Sequence, residues 1–133
     1  MPAAGRTFDR LCRRLRSRRV VVIDDSMRPA LEPGDRLWVD VSSAARSAPA
    51  LGTIVVLADP EAPGRLLIKR VVGRNDATGR VTVHGDAAAA SRDSRTFGPV
   101  PRAGILGVAW FRYRPADRRG PLPESDAVLR PKP

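Results

Sequence analysis

Apolar residues fall along this chain in short clusters separated by turn residues, a spacing that predicts strands rather than long helices. Val20-Val21-Val22-Ile23 begins a candidate strand over 20–24, and a second is expected over 36–41. Ile54-Val55-Val56-Leu57-Ala58 lies in a third, over 53–58. A long fourth strand is expected over 65–74. Asn75-Asp76-Ala77-Thr78-Gly79 then turns it into a fifth over 80–84, so the two read as a β-hairpin. The last is expected over 104–113. Residues 28–35 carry Pro29, Pro33 and Gly34 and read as a turn, while 42–51 and 87–97 read as irregular. Short strands punctuated in this way predict an all-β sandwich or barrel.

Only the N-terminal region has a helical period. Phe8, Leu11, Cys12 and Leu15 fall at i, i+3, i+4 and i+7, and Arg10, Arg13, Arg14, Arg16, Arg18 and Arg19 crowd the remainder. The expectation is a short basic helix that lays its apolar stripe on the domain and solvates its arginines. Docking on an anionic membrane surface is the alternative. From Arg114 onward prolines recur, which reads as an extended, flexible tail. The organisation expected is a basic N-terminal helix within 1–19, one β domain over 20–113, and a Pro-rich tail over 114–133.

Charge and length narrow the picture. The 133 residues suit one domain with a modest core. Lys and Arg number 24 against 14 Asp and Glu, a net charge of +10 that attracts anionic partners. Aromatic residues are only 5%, too few for a stacking platform, so nucleic acid is not an expected partner. Cys12 and His84 cannot make a zinc-finger spacing, and a lone cysteine fits a reducing cytosol. No apolar run approaches the roughly 20 residues that span a bilayer, and no signal-peptide core opens the chain. A soluble, cytoplasmic protein is expected, with a peripheral place at a membrane as the variant of that reading.

Two residues then stand out as candidate chemistry. Ser26 follows a candidate strand and precedes a proline turn, a setting that can expose a hydroxyl on a fixed backbone. A serine hydroxyl is a weak nucleophile and needs a base within reach. Lys69 lies mid-strand in Leu66-Leu67-Ile68-Lys69-Arg70-Val71-Val72, where alternation gives it Leu67 and Val71 as neighbours on its own face. Loss of hydration there disfavours the ammonium and makes a neutral, proton-accepting amine accessible. Read from the strand alone, a lysine that snorkels to water or blunts a sheet edge is the favoured reading.

Three segments taken together resemble the signal peptidase I family of serine peptidases. The first is Ser26-Met27 followed by Pro29 and by Gly34-Asp35. The second is Lys69-Arg70 within an apolar strand. The third is Gly85-Asp86 followed by Ser91-Arg92-Asp93-Ser94-Arg95, with Gly98 and Pro101 after it. The resemblance spans roughly residues 20–110. It implies a signal-peptidase-like β-barrel, with Ser26 as nucleophile, Lys69 as general base and Ser91 as the hydroxyl that orients the lysine. It further implies that Asp93 and Arg95 pair to hold the Ser91 loop, that Gly85 and Asp86 support the site, and that Met27 and Pro29 border the substrate cleft. No metal and no cofactor is called for. Within the family, the short form without an anchor is most similar to the maturation proteases of nickel-type superoxide dismutase, which implies a precursor protein of that kind as partner.

Two features depart from the family pattern. Asp24 and Asp25 stand where Gly or Ser is usual, beside the place where an oxyanion would form, and Ala87 replaces the usual Asn after Gly-Asp. Either both carboxylates point away from Ser26 or activity is reduced. The function expected is removal of an N-terminal leader from a precursor. The alternatives are a processing enzyme seated on a membrane surface, a self-cleaving relative of SOS-response repressors, and a catalytically weak cationic binding module.

Overall fold

The run Ile54-Val55-Val56-Leu57 is apolar at every position because both of its faces are covered. Val55 and Leu57 belong to one apolar core, and Ile54 and Val56 to a second on the opposite face. The computed structural model describes residues 2–62 and 64–122, with backbone alone for 2–7. In chain order the elements are α1 (Pro2–Leu15), β1 (Ser17–Val21), β2 (Arg36–Asp40), α2 (Ser43–Ser47), β3 (Ile54–Ala58), β4 (Leu66–Asn75) and β5 (Arg80–His84). There follow α3 (Ser94–Phe97), β6 (Val100–Pro101), β7 (Ile105–Arg114) and β8 (Gly120–Pro121). The strands form one sheet in the order β1-β2-β7-β3-β4-β5-β6, with β8 added to β7. Each pairing is antiparallel. This is an all-β, signal-peptidase-like architecture.

The two cores divide the labour of the sheet. The first gathers Leu67 and Val71 of β4, Val81 and Val83 of β5, Val100, Ile105 and Val108 with the β3 pair, and Phe97 packs against it. The second gathers Val22, Met27, Leu31, Leu37 and Val39 around Ile54, Val56 and Ala109. Lys69 sits opposite Val55 across the β3–β4 ladder, and directly opposed side chains share a face. The lysine therefore points to the side of the first core.

Several boundaries differ from the sequence expectation. The helix ends at Leu15, and Ser17 to Arg19 belong to β1, because Ser17 pairs with Asp40 and Val21 with Arg36 along β2. Val22 leaves that ladder and exchanges backbone bonds with Gly34 and Asp35 instead. Residues 42–51, expected as loop, contain α2, whose first turn is capped by Ser42 accepting from the Ala45 N–H. The supposed tail is anchored as far as Leu122. β8 pairs with Phe111 and Arg112, Arg118 binds Asp35, and Leu122 packs on the second core. Residues 123–133 lie outside the described residues.

The packing of α1 is a further correction. Phe8, Leu11 and Leu15 are 66%, 54% and 79% exposed, so the apolar stripe does not cover the domain. The arginine face is turned inward. Arg10, Arg13 and Arg14 stack over Phe111, Trp110 and Trp38 at 5.8, 5.2 and 4.9 Å, and Arg13 Nε donates to Asp40 at 3.0 Å. The sheet surface beneath the helix is aromatic and carries a buried carboxylate, which favours planar guanidinium groups over leucine.

Candidate active site

The loop that carries Ser26 is tied down from beneath. Met27 and Leu31 are buried in the second core, and the Leu31 N–H donates to the Met27 carbonyl at 2.9 Å. Met27 therefore packs under the loop and offers no surface to a substrate, contrary to its expected place in the cleft, whereas Pro29 is exposed. Asp35 closes the loop. Its buried carboxylate accepts from the Glu32 N–H at 3.0 Å, from Arg112 Nη1 at 3.1 Å and from Arg118. Arg112 also donates to the Ala30 carbonyl at 2.9 Å, so β7 grips the serine loop at two points. No role for Arg112 or Arg118 is readable in the sequence; the only signal was an aspartate directly after a turn glycine.

β4 delivers adjacent cations to opposite faces. Lys69 is 2% exposed. Arg70 points the other way and forms a two-pronged pair with Asp86, Nε to Oδ1 at 2.9 Å and Nη2 to Oδ2 at 2.7 Å, while Nη1 donates to the Gly52 carbonyl at 2.8 Å. Asp86 thus anchors the loop after β5 to β4.

Lys69 Nζ donates to Ser91 Oγ at 3.0 Å. Ser91 Oγ in turn donates to Asp93 Oδ2 at 2.6 Å. Asp93 is fully buried and also accepts from the Gly85 N–H at 2.7 Å, the Arg95 N–H at 3.0 Å, and Arg95 Nη2 at 2.6 Å. Burial opposes its charge, but these donors outweigh burial and hold its carboxyl well below the usual carboxylate range. Burial pulls Lys69 in the direction that matters for chemistry, below the ordinary lysine value. Asp24 and Asp93 work against that shift, and Arg92 and Arg95 add to it.

Gly85 joins the two halves. A Cβ there would stand 2.2 Å from Ser91 Oγ and 2.7 Å from the Ser26 carbonyl oxygen, so only glycine lets these groups meet. The Ala87 N–H donates to the same Ser26 carbonyl at 2.9 Å. The link at position 87 is a backbone one, which explains why alanine serves there.

Ser26 itself is 3% exposed. Its hydroxyl donates to Asp24 Oδ1 at 2.9 Å, and its backbone N–H donates to the same oxygen at 3.1 Å. Of the two carboxylates before the serine, Asp24 turns onto it and Asp25 turns to Arg28 at 2.6 Å. His84 lies in β5 opposite Arg70. Among the described residues, no three His, Cys, Asp or Glu side chains gather as a metal cluster.

The sheet thus sets a buried lysine, its ammonium form disfavoured, on Ser91, and Gly85 brings Ser91 up to the backbone of the rigid serine loop. The model of the signal peptidase, peptidase S26 family matches residues 11–76 and 77–114. The chain is 38% identical to the mitochondrial ATP-independent inner membrane protease subunit 1b of Arabidopsis thaliana, over 73% of this chain and 70% of that protein. It is 31% identical to probable signal peptidase I-1 of Synechocystis sp., over 74% and 71%. It is 32% identical to the mitochondrial inner membrane protease subunit 1 of Xenopus tropicalis, over 80% and 74%. The chain belongs to the peptidase S26 family and is a serine endopeptidase of the signal peptidase I type, a protease that acts on precursor proteins. Among the described residues, no helix is long and apolar enough to cross a membrane.

Proposed function

We propose that Ser26 is the nucleophile of this peptidase and Lys69 its general base, with Ser91 orienting the lysine. Asp93, Arg95, Gly85 and Asp86 hold the frame. The observation that carries this reading is the lysine's position: buried among Leu67 and Val71, with its ammonium disfavoured, and hydrogen-bonded to Ser91. The Ser91 proton is committed to Asp93, so Ser91 can only accept from Lys69. That leaves the lone pair of the neutral amine free for the Ser26 proton. In acylation, Oγ attacks the scissile carbonyl as Lys69 takes the proton, and the same lysine returns it to the leaving amine. In deacylation, Lys69 takes a proton from water. The Ser26 N–H is the donor for the oxyanion.

The proposed reaction is removal of an N-terminal leader in the cytoplasm, and the proform of a nickel-type superoxide dismutase is the named candidate substrate. That candidate rests on the likeness of the sequence motifs to those of the maturation proteases of that enzyme. Intact-mass measurement of the proform after incubation with the wild-type protein and with Ser26→Ala tests it. A single leader loss with wild type alone is expected. Ser26-dependent cleavage of other leader-bearing precursors, with this proform untouched, removes the nickel enzyme and keeps the dyad.

A peripheral place on an anionic membrane is favoured by one observation. α1 presents Phe8, Leu11 and Leu15 to solvent from a strongly basic segment. Co-sedimentation with phosphatidylglycerol vesicles at low salt is expected, and Leu11→Asp with Leu15→Asp is expected to abolish it. Absence of binding by the unaltered protein removes the membrane and leaves the peptidase reading intact.

A further inference from the structure

A peptide carbonyl that enters this site needs the Ser26 N–H, and attack needs the Ser26 proton to pass to Lys69. Both hydrogens are already engaged. One oxygen of Asp24 accepts the hydroxyl at 2.9 Å and the N–H at 3.1 Å. An N–H bond to an aspartate two residues earlier is a common turn device, but it uses the backbone donor only. Here the same oxygen also takes the side chain. A hydroxyl has one proton, so while Asp24 holds it Lys69 cannot receive it. A carboxylate is also a far weaker base than an amine, so Asp24 does not replace Lys69 in that task.

We propose that Asp24 is a gate built into the serine loop. Its carboxylate occupies the place of the substrate carbonyl oxygen, and the resting site stays closed until a bound peptide displaces it. Asp24 is a positioning residue in this account, since it acts through Ser26 and takes no part in bond making. It also acts on Lys69. The Asp24 and Asp93 charges favour the ammonium, while Arg92, Arg95 and burial disfavour it. Loss of the Asp24 charge thus opens the serine and brings the lysine to its neutral form at lower pH. The proposal rests on the Ser26/Lys69 reading.

The test compares the full chain with Asp24→Ala and Asp24→Asn, each also in a Ser26→Ala background. Cleavage of an unstructured peptide library is followed by mass spectrometry from about pH 6 to about pH 10. Asparagine keeps the turn and loses the charge; alanine loses both. Turnover by Asp24→Ala is expected to rise about tenfold or more, the scale set by release of hydrogen bonds to a charged acceptor. The rising limb of the pH profile is expected to move to lower pH in both variants, because both lose the charge that favours the ammonium. Unchanged or lower turnover by an Asp24→Ala protein that melts like the parent, or an unmoved limb in both variants, overturns the gate.

A second measurement does not depend on activity or on either variant. In the unaltered protein the Ser26 amide proton is expected to shift in one step as acid neutralises Asp24. An amide that does not respond overturns the proposal. A responding amide, with no Ser26-dependent cleavage by parent or variants, overturns the peptidase assignment of Ser26 and the gate with it. Cleavage without the amide response overturns the gate alone.

Discussion

Ser91 Oγ stands 2.6 Å from a buried oxygen of Asp93 and 3.0 Å from Lys69 Nζ, so the hydroxyl gives its proton to one and a lone pair to the other. That polarity sets the orientation of the lysine. It also makes Asp93, through Ser91, a determinant of how Lys69 is held.

Lys69→Ala and Lys69→Arg are expected to lower turnover by at least about 10³-fold with the fold kept. Arginine cannot act as a neutral base at any working pH. Initial rates alongside thermal unfolding check this, and activity in the arginine variant would remove Lys69 as the base.

Activity is expected to rise with pH. Lys69 accepts a proton only when neutral, and burial lowers its value from that of free lysine. The rate climbs as pH passes upward through the lowered value and levels off above it. A kcat/KM profile over the alkaline range reads the midpoint. A flat profile counts against an amine base.

Asp93→Asn is expected to destabilise the protein by about 3 kcal/mol or more at neutral pH, because it leaves a buried network of donors facing an amide. The sign with pH follows from the depressed value of Asp93. Its folded form binds its proton less readily than the unfolded chain does. The stabilisation is therefore full above the ordinary carboxylate range and fades as pH falls toward the lowered value. Denaturant unfolding of both proteins should show a gap that narrows in acid.

Gly85→Ala is expected to cost about 1–3 kcal/mol of stability through overpacking, and to reduce turnover by about 10²-fold or more. Its methyl would collide with Ser91 Oγ and the Ser26 carbonyl. A variant that melts normally and cleaves at the parent rate would mean that the two halves of the site need not touch.

Asp35→Ala is expected to destabilise by about 3–5 kcal/mol, since Arg112 would lose its carboxylate in a largely buried place. The serine loop would lose its clamp to β7 at the same time, so turnover should fall further than the unfolded fraction accounts for. Chemical unfolding and rate measurement on one sample separate the two effects.

The strand pattern was legible because each β-strand is a local object. β5 covers the expected residues 80–84, and β2, β3, β4 and β7 lie within a residue of their expected ends. The apolar setting of Lys69 could be read from alternation alone. Where contacts between distant segments compete with local pattern, the reading failed. Val20 to Ile23 looks like a strand, yet β1 begins at Ser17 because its register is dictated by β2, and Val22 is claimed by Gly34 and Asp35. The stripe of α1 looked like a core face. The aromatic surface that selects arginines instead is built from β2 and β7, distant in the chain.

The sequence by itself determined the all-β class, the order of the strands along the chain, and which serine and lysine were worth watching, because those depend on residue type and near-neighbour spacing. Only the tertiary structure decided what surrounds them. Asp24 and Asp25 are chemically identical neighbours, yet one engages Ser26 and the other Arg28. Asp35 becomes a clamp only when β7 brings Arg112 to it, and Gly85 becomes irreplaceable only when Ser26 and Ser91 close on it. Hydrogen bonds and close packing act over a few ångströms, and in a folded chain those ångströms join residues that the sequence holds far apart.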